Sequence, residues 1–265
     1  MRLTLPPHPT GSAPVAIVTG ARRRVGFGAG IVARLAELGA RVYFTAWRPY
    51  DAASTWADDP DGPAAIAEAV ASAGGEAAWL EIDLRDPAAP DAILEAATAR
   101  FGPPTILVNN AAHSTLGGWR TIVAADLDAH WQANARATAL LAAGFARRWP
   151  GGAGGRIVSL TSGQSRGPMP EELGYIMSKG AIEALTVSLA AGVAPLGITV
   201  NAVNPGPTDT GWMSPELQTA LAPKLPFGRA GLPDDAARLI AFLCSEQGGW
   251  ITGQILHSEG GFVRE

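Results

Sequence analysis

The sequence predicts an α/β fold in a single domain: a doubly wound sheet of about seven mostly parallel strands with helices on both faces. Short apolar runs bounded by turn residues alternate with longer segments in which apolar residues recur at intervals of three and four. This alternation is typical of successive βαβ units. With 265 residues, 47% of them hydrophobic, the chain can bury one large core. We expect residues 14–265 to form the domain and residues 1–13 to form a flexible extension.

The predicted elements follow one another in a regular order. Strands are expected at residues 15–20, 41–47, 77–84, 105–111, 155–162, 198–206 and 253–261, because each is a short apolar run. Helical periodicity predicts helices at residues 29–39, 64–74, 91–102, 128–149, 175–197 and 233–246. Open α/β sheets bind ligands at the carboxyl ends of their strands. A site is therefore expected in the segments 20–28, 48–63, 112–120, 163–174 and 207–226.

Charge and hydropathy argue against nucleic acid and membrane partners. The formal net charge is −4 and the arginines are scattered among acidic residues, so no extended basic face is expected. Prolines interrupt the N-terminal segment where a secretory signal needs an apolar run, and no segment has eighteen uninterrupted apolar residues. These features favour a cytoplasmic protein.

Cysteine and histidine usage gives no support for a disulfide or a metal. The one cysteine, Cys244, lies in an apolar helical pattern and is expected to be buried in the core rather than reactive. The four histidines have neither metal-ligand spacing nor cysteine partners. We expect no structural metal.

A glycine-rich turn follows the first predicted strand. The segment VAIVTGARRRVGFGAGIVARLAELGA reads as strand, turn and helix, the context in which glycines approach a dinucleotide pyrophosphate at a helix N-terminus. Gly20, Gly26 and Gly28 are the glycines assigned to this role, with Phe27 between the last two. The alternative is a purely structural turn in a chain that contains 32 glycines.

The end of the second predicted strand bears on the choice of cofactor. NAD-binding sites place an acidic residue near this point to bond the ribose hydroxyls. Here Ala46, Trp47 and Arg48 occupy it, and Arg22, Arg23 and Arg24 lie in the glycine turn. Guanidinium groups bind phosphate through paired hydrogen bonds, so these residues favour NADP(H) over NAD(H). For any one of these arginines, a solvated position in the loop is the alternative.

Tyr175 and Lys179 carry the most specific chemical signal. Residues four positions apart share a helix face, so both side chains can point into one cleft. A nearby ammonium stabilises phenolate and is expected to lower the pKa of the tyrosine toward the range useful for proton transfer. The chain has only two lysines, and one of them stands here.

Several motifs together resemble those of the short-chain dehydrogenases/reductases. Their order and approximate intervals match the single-domain type, similar to 3-oxoacyl-carrier-protein reductases, over residues 14–263. The motifs are VTGARRRVGFG, DLRD at 83–86, NNAA at 109–112, Asn134, LTSG at 160–163, YIMSK at 175–179, NPGPTDT at 204–210 and ITGQILHSEGG at 251–261. The resemblance implies a Rossmann-type sheet and a nicotinamide cofactor.

The resemblance also implies roles for individual residues. Ser162 would form a hydrogen bond with the substrate oxygen. Tyr175 would be the general acid in reduction and the general base in oxidation. Lys179 would bind the nicotinamide ribose, and Asn134 would hold a water of the proton relay. The remaining positions would contact the cofactor: Asp83, Leu84, Asn109, Asn110 and Ala111 on the adenosine side, and Pro205, Gly206, Thr208 and Thr210 at the nicotinamide. Taken alone, Asp83 and Asn134 are equally compatible with a helix cap and a helix-surface amide.

Two segments depart from the family pattern. The glycine turn has five residues between its first two glycines where three are usual, which resembles enoyl-carrier-protein reductases. Those relatives generally space tyrosine and lysine by seven, so the spacing of four favours carbonyl and alcohol chemistry. The second departure is the polar segment 48–63, which can contact the adenosine end or be a plain insertion.

The leading functional hypothesis is an NADP(H)-dependent oxidoreductase that transfers a hydride between nicotinamide and a carbonyl or secondary alcohol, such as a 3-oxoacyl thioester or small ketone. The alternatives are dehydration or epimerisation on the same site and a non-catalytic dinucleotide sensor or scaffold. Trp212 and Met213 suggest an apolar substrate wall, whereas Arg166 can meet an anionic group or solvent. Residues 233–246 and 251–265 resemble the elements through which relatives form tetramers, so a homo-oligomer, tetramer or dimer, is expected.

Overall fold

One parallel sheet organises the computed structural model, which describes residues 3–52 and 59–264. Its strands are β1 (Val15–Val18), β2 (Arg41–Ala46), β3 (Ala77–Glu81), β4 (Ile106–Asn109), β5 (Gly155–Leu160), β6 (Ile198–Asn204) and β7 (Ile255–His257). Their order is β3-β2-β1-β4-β5-β6-β7, and every neighbouring pair is parallel. The predicted doubly wound sheet is confirmed. The strand order reverses its direction between β1 and β4, and ligands of such sheets bind at this point.

Helices cover both faces of the sheet. Their bounds are α1 (Phe27–Glu37), α2 (Arg48–Ala52), α3 (Gly62–Ser72), α4 (Ala89–Phe101), α5 (Ala124–His130), α6 (Ala137–Arg147), α7 (Leu173–Val193), α8 (Pro215–Leu221) and α9 (Pro233–Cys244). Along β1, Ala16 and Val18 pack with residues of α1, α3 and α9, whereas Val15 and Ile17 pack with residues of α4, α6 and α7. Alternate β1 side chains thus face the two helix layers, which explains why its sequence is a continuous apolar run.

The predicted strands are longer than the observed ones at their carboxyl ends. The last was expected over residues 253–261, yet β7 ends at His257 and is followed by Gly260 and Gly261, which have positive φ angles of 60° and 73°. Likewise β6 ends at Asn204, before Pro205 and Gly206. The excess residues belong to the loops that build the site.

The helix predicted over residues 128–149 begins earlier, at Ala124, and changes its hydrogen-bond pattern along its length. It consists of α5, a π-helical segment at Trp131–Arg136 and α6. The segments 48–63 and 207–226, expected to be irregular, contain α2, the start of α3 and α8. Residues 53–58 lie outside the described residues.

The segment before β1 contacts the domain. Leu5 and His8 are buried, and His8 Nε2 lies 2.9 Å from the carbonyl oxygen of Pro103. The main-chain N–H of Glu246 donates to the carbonyl of Thr4 at 2.8 Å. These contacts hold residues 4–8 against the domain, whereas the sequence predicts a flexible extension. Cys244 is buried as predicted, and burial raises the pKa of its thiol to about 12.

One helical stretch, Leu173–Leu196, is long and apolar enough to cross a membrane by length and composition alone. It consists of α7 and the 3-10 turn Ala194–Leu196, and its residues Ile182, Ala190 and Val193 are buried against the rest of the chain. Lys179, near its N-terminus, is only 2% exposed. The packing is that of a core helix of the α/β domain.

Candidate active site

The structure brings Ser162, Tyr175 and Lys179 together at the carboxyl end of β5. Ser162 lies in the loop that follows this strand, and the other two residues are in the first two turns of α7. Lys179 Nζ donates a hydrogen bond to the carbonyl of Leu160 at 2.8 Å and lies 5.5 Å from the Tyr175 ring centroid. The four-residue spacing therefore places the phenol and the ammonium on one face, as predicted.

Burial dominates the proton affinity of Tyr175. Desolvation raises the pKa of the phenol to about 12, although a hydrogen bond with Ser162 opposes the change, and Glu172 and Tyr50 add to it. The sequence predicts a lowered pKa for Tyr175; in this structure the pKa is raised instead, because desolvation of the phenolate outweighs the hydrogen bond with Ser162. Tyr175 is protonated at neutral pH, the form that can donate a proton.

Lys179 is affected by burial in the opposite sense. Desolvation lowers the pKa of its ammonium to about 8. Burial disfavours the charged form of both side chains, so it raises the pKa of an acid and lowers that of a base. Near neutral pH the predominant state of the pair is a neutral phenol beside an ammonium.

Asn134 is fully buried in the π-helical segment, and its side chain is engaged with protein atoms. Nδ2 donates to the carbonyl of His113 at 2.8 Å and to Ser178 Oγ at 2.9 Å, while Oδ1 accepts from the N–H of His113 at 2.7 Å. Asn134 thereby ties the loop after β4 to α7. Since both Nδ2 protons are used, Asn134 could hold a water of the proton relay only as an acceptor, through the second lone pair of Oδ1 or through its main-chain carbonyl.

The glycine turn has the geometry of a phosphate cradle. Gly20 has a φ of 74°, and a Cβ there would lie 2.6 Å from Cα of Ala111. A Cβ on Gly28 would lie 2.5 Å from the carbonyl oxygen of Gly20. Gly26 caps α1 without a side-chain bond to its free N–H groups. These N–H groups and the close backbone approach fit a dinucleotide pyrophosphate.

Asn110 fixes the shape of this turn. Its Nδ2 donates to the carbonyls of Thr19 and Gly20 at 2.8 and 2.9 Å. Asn109 instead points into the sheet, where its Nδ2 donates to Ser159 Oγ at 3.2 Å. Of the two asparagines assigned to the adenosine side, Asn110 is therefore the one in contact with the glycine turn.

The arginines grouped by the sequence separate in the structure. Arg23 donates to the carbonyl of Thr210 at 2.8 Å and so joins the glycine turn to the loop after β6. Arg24 forms an exposed ion pair with Asp59 at 2.9 Å, and its hydrogen bond holds the pKa of that carboxyl below its ordinary value. Arg23 and Arg24 therefore each have a protein partner in this structure.

Arg22 and Arg48 line one cavity of about 140 Å³ at the carboxyl ends of β2 and β3. Arg22 is 4% exposed, whereas Arg48 is exposed and donates to the carbonyl of Pro60 at 2.9 Å. The complete lining is Arg22, Ala46, Arg48, Pro60, Pro63, Trp79 and Glu81. Two guanidinium groups and one carboxylate give the cavity a net positive charge. Trp47 lies beside it, half-buried.

The other predicted cofactor contacts surround the same cleft. Asp83 is paired with Arg85 at 2.7 Å; burial raises the pKa of its carboxyl, but the Arg85 hydrogen bonds outweigh burial and leave it below the ordinary value. Leu84, the next residue, is half-buried. In the loop after β6, Thr208 Oγ1 donates to the carbonyls of Pro205 and Gly206, both at 3.2 Å.

A row of rings beside Tyr175 was not predicted from sequence. Tyr50, His113, His130 and Tyr175 follow one another with centroid separations of 5.4, 4.8 and 6.4 Å. His130 Nε2 accepts from the N–H of Thr115, so Nδ1 carries the proton toward the carbonyl of Asp126. Burial, with His130 and Arg85, lowers the pKa of His113. Nothing in the sequence spacing of His113 points to Tyr50 or His130.

The described residues contain no group of three or more His, Cys, Asp or Glu side chains that could hold a metal ion.

Comparison with known proteins gives matches over almost the whole chain. A family model described as enoyl-(acyl carrier protein) reductase matches residues 20–263. The chain is 45% identical to uncharacterized oxidoreductase YjdA of Bacillus subtilis (strain 168), with 94% of this chain and 97% of the relative covered. It is 34% identical to an NADPH-dependent aldehyde reductase-like protein, chloroplastic, of Arabidopsis thaliana, with 98% of both chains covered. A short chain dehydrogenase from Burkholderia cenocepacia J2315, solved in complex with NADP, superposes with a TM-score of 0.82 at 33% identity, with 94% and 97% covered.

Proposed function

The chain belongs to the short-chain dehydrogenase/reductase family, and from this premise we propose that it is an NADP(H)-dependent oxidoreductase that interconverts a carbonyl compound and a secondary or primary alcohol. The observation that carries the proposal is the cluster of Ser162, Tyr175 and Lys179 at the end of β5. The acid is held in its protonated form beside a cation, as carbonyl reduction requires.

The nicotinamide, when bound, supplies or accepts the hydride. In reduction, the Ser162 hydroxyl donates a hydrogen bond to the substrate oxygen, and Tyr175 gives that oxygen its proton as negative charge develops. The Lys179 ammonium stabilises the phenolate left behind, and the carbonyl of Leu160 fixes its direction. In oxidation the same phenolate removes the proton from the alcohol.

The pH dependence of reduction should report Lys179. Its pKa is lowered to about 8, so the ammonium predominates below this pH and is lost above it. We expect kcat/KM for the carbonyl, which reports the pKa values of the enzyme form that binds the carbonyl, to be level below pH 8 and to fall about tenfold per unit above it. Tyr175, with a pKa of about 12, should not titrate in this range. Lys179→Met should have low activity without this transition. A level wild-type profile up to about pH 10 would contradict the assignment.

The cavity at the ends of β2 and β3 supports the choice of NADP(H). Its two guanidinium groups, from Arg22 and Arg48, can bind a 2′-phosphate. β2 itself ends without an acidic residue, and the one carboxylate of the lining, Glu81, accepts from the main-chain N–H of Arg48 at 3.2 Å. The Arabidopsis thaliana relative is named as NADPH-dependent, and the Burkholderia cenocepacia structure contains NADP.

We expect Arg22→Ala and Arg48→Ala to raise KM for NADPH about tenfold or more and to change KM for NADH little. KM does not depend on how much of the protein is folded, and the ratio of the two KM values removes any effect that is common to both cofactors. Arg24→Ala, which removes an exposed guanidinium already paired with Asp59, is the matched control and should leave the ratio unchanged. Equal effects on both cofactors would contradict a 2′-phosphate site here.

The substrate class is proposed as small aldehydes or ketones, including 3-oxoacyl thioesters. The four-residue Tyr175–Lys179 spacing supports carbonyl rather than enoyl chemistry, although the matching family model is named for an enoyl reductase. The test is the loss of near-ultraviolet absorbance of NADPH with a panel of aldehydes, ketones, 3-oxoacyl and enoyl thioesters. Tight NADPH binding without oxidation by any of them would favour a sensor, and a change of substrate without net oxidation would favour dehydration or epimerisation.

We propose a homo-oligomer that pairs through α9 and β7. β7 is a three-residue strand at the edge of the sheet, and Trp250, just before it, is 98% exposed. An open strand edge beside an exposed tryptophan is suited to pairing with a second copy. Light scattering is expected to give a multiple of 27.3 kDa, and Trp250→Glu should reduce it. A wild-type mass equal to one chain would contradict the proposal.

The proposed partners are the cofactor and a small-molecule substrate in the cytoplasm. The net charge of −4 and the core packing of α7 support neither a nucleic acid surface nor a membrane-spanning helix. Cell fractionation tests the location.

A further inference from the structure

The C-terminal residues 259–264, here named the clasp, cross the loops that build the site. Glu259, whose side chain is 5% exposed, is its anchor: its carboxylate accepts from Asn204 Nδ2 at 2.7 Å and from Arg264 at 2.8 Å. Arg166, in the loop after β5, lies 3.4 Å from the same carboxylate. Burial alone would raise the pKa of Glu259, but Arg264, Asn204 and His257 together outweigh it and the pKa is lowered. The carboxylate is therefore charged when these contacts form.

Arg264 packs directly on the loop that carries Ser162. A Cβ on Gly163, the next residue after Ser162, would lie 2.2 Å from Nη2 of Arg264, and a Cβ on Gly167 would lie 2.7 Å from its Cδ. The guanidinium thus occupies space that any other residue at position 163 would fill. Its ion pair with Glu259 limits how far it can move away.

The clasp also contacts the loops after β6. A Cβ on Gly206 would lie 2.4 Å from Cβ of Glu259, and the N–H of Val263 donates to the carbonyl of Lys224 at 3.0 Å. One short segment therefore joins the Ser162 loop to the predicted nicotinamide loop and to the 3-10 turn after α8 (Ala222–Lys224).

We propose that Arg264, held by Glu259, is a positioning residue that sets the place of Ser162 and the 163–167 loop for the substrate oxygen; this inference rests on the proposed carbonyl reduction. Arg264 does not act on the substrate itself. Its side chain packs against the loop, in the space that side chains at positions 163 and 167 would otherwise fill. A loop displaced by about 1 Å can cost up to about 100-fold in rate.

The first test is Arg264→Ala in the full chain. We expect kcat for the carbonyl to fall about 10- to 100-fold, while NADPH affinity, measured without turnover by nicotinamide fluorescence, stays within about twofold of wild type. Arg264→Lys, which keeps the charge beside Glu259, should recover part of kcat. Arg148→Ala is the matched control, since it removes an ion pair with Asp91 between α6 and α4. It should leave kcat and NADPH affinity unchanged.

A double-mutant cycle makes the test specific to the loop contact. Gly163→Ala displaces the guanidinium and should lower kcat to about the level of Arg264→Ala, and the combined variant should be no worse than either alone. Gly167→Ala provides the same cycle if Gly163→Ala does not fold. Wild-type kcat in Arg264→Ala, or independent effects in both cycles, would overturn the inference. If the wild-type protein reduces no carbonyl, both the proposed function and this inference fail. If the wild-type protein reduces a carbonyl and Tyr175→Phe abolishes this activity while Arg264→Ala does not lower it, only the inference fails.

Discussion

Tyr175→Phe is expected to lower kcat for carbonyl reduction by about 10²- to 10⁴-fold, the usual contribution of a positioned general acid. The substitution removes only the hydroxyl, and the ring contact with His130 remains. Because the phenol has a pKa raised to about 12, it is the protonated donor across the whole working range. Without it, water would have to protonate the substrate oxygen, so the loss should appear in kcat and not in NADPH binding.

The control for this prediction is Tyr43→Phe. Tyr43 is a buried tyrosine of β2 that packs between β1 and α4, so its substitution also removes a phenolic hydroxyl from the interior. It should leave kcat unchanged. Stopped-flow measurement of NADPH oxidation separates the hydride step from product release. Near-normal turnover by Tyr175→Phe on a good substrate would refute the assignment of the proton donor.

The sheet could be predicted because its signal is local. Each strand is a short apolar run, and the alternation of strands with helical patterns depends only on nearby residues. The Tyr175 and Lys179 pair was also accessible, since two residues on consecutive turns of one helix share a face whatever surrounds them. Strand ends were over-extended because apolar and small residues continue into the loops after β6 and β7.

The partners of the polar residues could not be predicted, because they are set by contacts distant in sequence. Arg23 meets Thr210, 187 positions away, and Arg24 meets Asp59, 35 positions away. The two arginines are adjacent and chemically identical, and they differ only in the direction that the folded turn gives their side chains. The same limit applies to the pKa of Tyr175, since the sequence shows the lysine but not the burial that outweighs it.

The π-helical segment is a similar case. Residues 128–149 have ordinary helical periodicity, yet the helix widens at Trp131–Arg136. Asn134, in this segment, is bonded to His113 and Ser178, which belong to the loop after β4 and to α7. Those tertiary bonds accompany a change of hydrogen-bond register that helix propensity alone does not predict.

Gly28→Ala, which adds one methyl group to the glycine turn, is expected to weaken NADPH binding strongly. Gly28→Ala would place a Cβ 2.5 Å from both the carbonyl oxygen of Gly20 and Cα of Ala21. Both atoms belong to the backbone, so no side chain can rotate away, and the turn itself must shift. Overpacking of this kind costs about 1–3 kcal/mol. The shift of the turn should displace the N–H groups assigned to the pyrophosphate. The Kd for NADPH should therefore rise about 10- to 100-fold.

Gly30→Ala is the matched control, two residues further along α1. A Cβ there would lie 3.5 Å from Cβ of Pro233, an ordinary packing distance. Alanine is also favoured over glycine inside a helix by about 0.5–1 kcal/mol, so this variant should be as stable as wild type or more stable. Fluorescence titration with NADPH and thermal unfolding measure both quantities for the two variants. Equal NADPH affinity in Gly28→Ala and Gly30→Ala would mean that the close approach at Gly28 does not shape the cofactor site, and the pyrophosphate would have to be placed elsewhere.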